Sequence, residues 1–114
     1  MSFKNAFDGL VWVLKTEQNY RIHIALSLIA MVLGFELKIS YEEFLIILIL
    51  IFLGLAIEMV NTAIEETTDA IDTKWRQDLK IAKDVAAGAM LVFAIGALLI
   101  AGIIFIPKVF LLIR

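Results

Sequence analysis

The stretch FLIILILIFLGLAIEMVNTAIEETTD, residues 44–69, decides the fold. Its first 14 residues carry no charge, and Glu58, Asn61, Glu65, Glu66 and Asp69 then follow without a break. On a helix turning about 100° per residue, with Glu58 at zero, Asn61 falls near about −60°, Glu65 near about −20° and Asp69 near about +20°. Three carboxylates and an amide therefore share one face. Fourteen apolar residues fall short of the roughly 20 needed to cross a bilayer, but a helix continuing through MVNTAI spans residues 44–64. Glu58 then lies inside the membrane near one end, and the polar face runs out into water.

The rest of the chain fits a bilayer. Hydrophobic residues make up 62% of the 114, with a single Pro and a mean hydropathy of +0.97; a soluble domain this small would expose far too much apolar surface. The length suits one domain, 1–114. Zero Cys exclude a disulfide framework and thiolate metal or redox chemistry. A net charge of −2 with no basic run gives no footprint for nucleic acid. The start MSFKNAFDGL mixes charge with apolar residues and lacks the continuous apolar core of a cleavable signal.

Two further apolar segments flank the first. Val85 to Ile106 is 22 residues without charge and spans outright. Residues 22–39 span if Arg21 and Lys38 extend toward the headgroups. Lys and Arg are concentrated in residues 1–21 (Lys4, Lys15, Arg21) and between the second and third spans (Lys74, Arg76, Lys80, Lys83), which predicts a cytoplasmic N-terminus and a cytoplasmic loop at 66–82. Residues 1–20 read as an amphipathic helix on the same membrane face, with Phe3, Phe7, Leu10 and Leu14 in one stripe and Lys4, Asp8 and Lys15 elsewhere. Glu17 continues the apolar stripe, so it either projects toward the bundle or marks a helix end where phase no longer matters. Trp12 and Trp75 suit the interfacial belt, His23 reads as an interfacial side chain, and Pro107 is expected to end or kink the last helix.

A carboxylate inside a membrane is costly unless protonated, paired or metal-bound, which makes Glu58 a candidate functional group. KIAKDVAAGAM, residues 80–90, puts Lys83 and Asp84 just before the third span, level with Glu58 to Glu65 in a hairpin, and its Ala and Gly allow close helix approach. Carboxylates, an amide and a Lys at a membrane surface suit phosphoryl transfer: Mg²⁺ takes oxygen ligands, a cation offsets phosphate charge, and a carboxylate takes the proton of an attacking hydroxyl. The six Gly form neither Gly-rich nucleotide fingerprint, which excludes soluble kinase folds. Physical chemistry alone leaves two classes open, a membrane kinase and a proton-coupled transporter or channel oligomer built on Glu58.

TEQNYRIH (16–23), the E-x-x-N-T-A-I-E-x-x-x-D core (58–69) and the A-K-D motif (82–84) together resemble the prokaryotic diacylglycerol kinase family. The resemblance covers most of the chain. It implies an all-α integral membrane protein of the bacterial plasma membrane, with an interfacial helix and three transmembrane helices in a homotrimeric bundle whose sites are shared between subunits. It further implies ATP as phosphoryl donor, Mg²⁺ as cofactor and a lipid alcohol as acceptor. By the same resemblance Glu58 is the general base, Glu17 and Glu65 bind Mg²⁺ with the nucleotide, and Asn61 is an active-site amide. Lys83 and Asp69 serve the nucleotide, and Asp84 belongs to the polar network. NYRIH and KDVAAGAM look closer to the branch that phosphorylates undecaprenol than to the branch that prefers diacylglycerol, which stays as the alternative.

Overall fold

Ser2 begins the first helix: its hydroxyl accepts the Asn5 backbone N–H at 3.1 Å, satisfying one of the donors that a helix start leaves without a partner. The computed structural model describes residues 2–113, and among these every regular element is a helix: α1 Phe3–Thr16, α2 Gln18–Glu36, α3 Tyr41–Ile71 and α4 Gln77–Ile113. α1 presents Phe3 and Phe7 of the apolar stripe outward and pairs Lys4 with Asp8 on another side, the amphipathic character read from the sequence. It stops at Thr16, short of residue 20. Glu17 is extended (φ −103°, ψ 107°) and caps both α1 and α2, so the helix-end reading of Glu17 holds and its continuation of the α1 stripe does not.

α2 and α3 are joined by a tight C-cap. Lys38 has φ 56°, its N–H donates to the Phe35 carbonyl at 3.2 Å, and the Ile39 N–H donates to the Gly34 carbonyl at 3.1 Å, the paired bonds of a Schellman motif. Gly34 leaves room for the Ile39 side chain: a Cβ there would lie 2.9 Å from Ile39 Cδ1, and that terminal methyl would have to shift. α3 then starts on a capping box, with Ser40 Oγ accepting the Glu43 N–H at 3.1 Å and Glu43 Oε1 accepting the Ser40 N–H at 2.9 Å.

The connection between α3 and α4 is much shorter than the 66–82 stretch left between the spans. Only residues 72–76 are non-helical. Helix persists into water on both sides through local pairs: Thr67 Oγ1 donates to the Ala63 carbonyl, Asn61 reaches Glu65, and Lys80 reaches Asp84. The Asp72 carboxylate accepts the Lys74 N–H, and the Asp78 carboxylate accepts from Nε and Nη2 of Arg76 at the start of α4. Pro107 lies inside α4 and does not end it. Only one backbone bond is lost there, and neighbouring helical bonds carry the chain on to Ile113.

α3 is the central element, packing most extensively along α4, then against α2, while α1 leans chiefly on α2. Four of its five buried residues, Ile47, Gly54, Glu58 and Thr62, follow a seven- and four-residue spacing, one seam facing the other helices; Thr68 falls outside that spacing. Large apolar side chains such as Phe52, Leu91, Val92, Leu98 and Ile103 point outward. Small and polar groups inside with large apolar groups outside is the arrangement lipid demands, and α3 and α4 are each long and apolar enough to cross a membrane. This is a membrane protein with a hairpin of long helices at its centre.

Candidate functional site

The α3 seam carries the chemistry. Glu58 is 7% exposed and Thr62 3%, and among the described residues Glu58 makes no hydrogen bond or ion pair with another side chain. One turn on, Asn61 Nδ2 donates to Glu65 Oε1 at 3.2 Å, while Asn61 Oδ1 is buried without a partner. A buried acceptor left free is costly, and here it lies beside a carboxylate on the same helix face. Thr68, also buried, returns its hydroxyl to the Glu65 carbonyl at 2.9 Å and contributes no free donor.

At the water end of the seam Lys83 of α4 donates to Asp69 Oδ1 of α3 at 2.5 Å. That hydrogen bond keeps the Lys83 ammonium charged to higher pH than usual, against a pull from desolvation and with help from the Asp69 and Glu65 charges. Asp84 does not join it: its carboxylate pairs with Lys80 at 2.6 Å on the exposed side of α4. A cavity of about 310 Å³ opens at the turn, and Asp69, Trp75, Arg76, Lys80, Lys83 and Asp84 are among its walls. The cations there suit phosphate oxygens, and the exposed ring of Trp75 offers an aromatic face.

The hairpin register corrects one expectation. Lys83 stands level with Asp69, not with Glu58. Glu58 lies about 16 Å farther along the axis at 1.5 Å per residue, near the level where Phe93 of α4 meets Gly54. Within one chain the structure thus brings together Asn61 with Glu65 and Asp69 with Lys83, and leaves Glu58 in the seam, Asp84 on the outer face and Glu17 half-buried at the α1–α2 joint. The cavity walls Arg76 and Lys80 went unread in the sequence as site groups, although their spacing from Lys83 on a basic turn was the available signal. Thr62, at i+4 from Glu58, could have been found on the same wheel.

Carboxylate and amide oxygens are hard donors suited to Mg²⁺, which commonly takes one or two carboxylates and completes its shell with water and phosphate oxygens. Among the described residues no three acidic or His side chains converge as a ready metal cage. Glu65, with the free Asn61 Oδ1 beside it, fits a cation that arrives with a phosphate ligand. A second groove of about 370 Å³ runs between α2, α3 and α4 in the apolar zone, walled by Ser27, Ile47, Gly54 and Phe93 among others.

Comparison with known proteins agrees in kind. Residues 4–105 match the family model described as prokaryotic diacylglycerol kinase. The chain is 40% identical over 107 residues to the undecaprenol kinase of Bacillus subtilis (strain 168), covering 94% of this chain and 87% of that protein. It is 30% identical over 108 residues to a diacylglycerol kinase of Synechocystis, covering 94% of this chain and 62% of that one. A diacylglycerol kinase of Helicobacter pylori (strain J99) is 32% identical over 85 residues, 75% of this chain and 66% of that one.

Proposed function

The chain belongs to the prokaryotic diacylglycerol kinase family, and from that premise we propose that it transfers the γ-phosphoryl group of ATP to the hydroxyl of undecaprenol. The observation that carries the reading is the α3 seam: a buried, unpaired Glu58 at one end and the Lys83–Asp69 pair beside a cation-lined cavity at the other. A lipid hydroxyl travels in the bilayer and a nucleotide in water, so a kinase joining them needs one acidic track that crosses the boundary. A proton carrier has no use for the basic turn.

In this mechanism Glu58 takes the proton of the lipid hydroxyl as its oxygen attacks the γ-phosphorus, and the bond from phosphorus to the bridging oxygen breaks with ADP as leaving group. The products are a lipid phosphate and ADP. Lys83 offsets charge on the nucleotide phosphates, Asp69 orients Lys83, and Asn61 presents its free carbonyl oxygen beside Glu65. Asp84 acts through Lys80 at the cavity wall. Glu17 and Glu65 are the residues that would hold Mg²⁺, which when bound neutralises phosphate charge.

The acceptor follows from the near full-length similarity to an undecaprenol kinase; the diacylglycerol kinases in the comparison match less of their own length, and diacylglycerol is the second reading. The surrounding arrangement belongs to the same proposal: α2 as a third span, a bacterial plasma membrane, the N-terminus and the α3–α4 turn in the cytoplasm where ATP is found, and a homotrimer. Purified protein in lipid–detergent micelles, given γ-labelled ATP with undecaprenol or diacylglycerol in parallel, tests the reading. Label in undecaprenol is expected; preference for diacylglycerol overturns the acceptor, and no transfer to either lipid by protein that binds MgATP overturns the kinase assignment for both.

A further inference from the structure

The α1–α2 joint is a single residue. Glu17 is the only non-helical position between the two helices; its N–H donates to the Val13 carbonyl at 2.9 Å and its carbonyl accepts the Arg21 N–H at 3.4 Å. Both of its peptide groups are therefore tied to flanking helices, and the angle between those helices sets the direction in which its side chain leaves the backbone. Packing does little to fix that angle. Val13 is the one buried side chain of α1, and a cavity of about 480 Å³ lies between Gly9, Trp12 and Val13 on α1 and Met59, Thr62 and Glu66 on α3.

One side chain bridges the joint. Arg21 in the first turn of α2 reaches back past Glu17 and donates from Nη1 to the Leu14 carbonyl at 2.8 Å and to the Lys15 carbonyl at 3.1 Å. Among the described residues no other side-chain hydrogen bond crosses between α1 and α2. These carbonyls belong to the last turn of α1, where helical partners have run out and the helix end carries partial negative charge, so a cation with directed donors satisfies both needs. We propose that Arg21 is a positioning residue for the nucleotide end of the site: by pinning the C-terminus of α1 to α2 it fixes the direction of the Glu17 carboxylate. The proposal rests on the reading of Glu17 as a ligand of the metal that accompanies the nucleotide.

The test measures Mn²⁺ affinity in the presence of a non-hydrolysable ATP analogue, followed by the electron paramagnetic resonance signal of free Mn²⁺, on the full chain in micelles. Wild type, Glu17→Gln, Arg21→Met, Arg21→Lys and the Arg21→Met/Glu17→Gln double variant are compared, each checked for a monodisperse elution profile. Loss of a group that orients a ligand weakens metal binding by about tenfold or more. Arg21→Met is expected to weaken Mn²⁺ binding by that order, Arg21→Lys by less because charge and one donor remain, and the double variant no more than Glu17→Gln alone. In phosphate transfer the Mg²⁺ requirement rises in step while the lipid KM stays put. Normal Mn²⁺ affinity in Arg21→Met with weakened affinity in Glu17→Gln overturns the positioning role and leaves the Glu17 reading standing. Normal affinity in Glu17→Gln overturns both, and a further loss in the double variant shows that Arg21 acts independently of Glu17. If Arg21→Met does not fold, Arg21→Lys decides: unchanged affinity overturns the proposal.

Discussion

Gly54 on α3 and Phe93 on α4 meet so closely that a methyl group at Gly54 would lie 2.6 Å from the ring Cζ. The ring lies against bare helix backbone one turn from Glu58, and with the Lys83–Asp69 pair it sets the register of the hairpin. Gly54→Ala must displace Phe93 into the neighbouring groove and is expected to destabilise the protein by about 1–3 kcal/mol, the usual cost of overpacking. Phe93→Leu in the same chain is expected to recover most of that loss. Unfolding midpoints of the two single variants and the double variant in detergent check this, and independent, additive losses would show that the two residues do not share a contact.

Glu58→Gln keeps the size of the buried side chain and removes the base. Turnover is expected to fall by about 100- to 10,000-fold, the range attributed to a positioned proton acceptor, with MgATP binding nearly unchanged because the amide keeps the side chain's size and leaves Glu17, Glu65, Asp69 and Lys83, the groups read as nucleotide and metal ligands, untouched. Initial rates of phosphate transfer and direct nucleotide binding on the same preparation separate these effects. Near-normal turnover removes Glu58 from the chemistry.

Much of this arrangement is legible in the sequence. Charge-free length marked α3 and α4, and a three-residue phase calculation put Glu58, Asn61, Glu65 and Asp69 on one face, where Asn61 and Glu65 do bond. Hydropathy marks where apolar side chains end, not where hydrogen bonding ends, so the helical extension of α3 to Ile71 and the start of α4 at Gln77 were hidden in a segment that looked like loop. The sequence places Lys83 level with Glu58 to Glu65, whereas it pairs with Asp69, four residues nearer the turn than Glu65. The break at Glu17 is spanned by Arg21 bonding carbonyls six and seven residues back, a contact outside any helical or strand period.

The Lys83–Asp69 pair also carries a pH signature. Hydrogen bonding to Asp69 raises the Lys83 pKa in the folded protein, so protonated Lys83 favours the folded state. That contribution is complete below the unfolded lysine value of about 10.4 and is lost as pH rises through the higher folded value. The pair is solvent-exposed, and its effect is accordingly small. Wild type should lead Asp69→Asn in thermal midpoint by a constant margin through neutral and mildly alkaline pH, and the margin should close only above the usual lysine range. A margin that closes near neutrality would assign the effect to another group.

Lys38 offers the opposite case, a position where the native residue works against its backbone. Its φ of 56° is the left-handed conformation that the C-cap of α2 requires, and an L residue with a Cβ gives up about 1–2 kcal/mol there. Glycine removes that strain but adds freedom to the unfolded chain, which offsets part of the gain. Lys38→Gly is therefore expected to stabilise the protein by a net amount of about 0.5–1 kcal/mol, provided the Lys38 ammonium contributes little; no ion pair among the described residues involves it. The two bonds of the cap come from backbone N–H groups and survive the change. Lys38→Ala separates the two effects, since it removes the ammonium and keeps the strain. Unfolding midpoints should rank Gly above wild type and Ala near or below it, whereas a loss in both variants would mean that the charge, reaching toward the headgroups, matters more than the backbone.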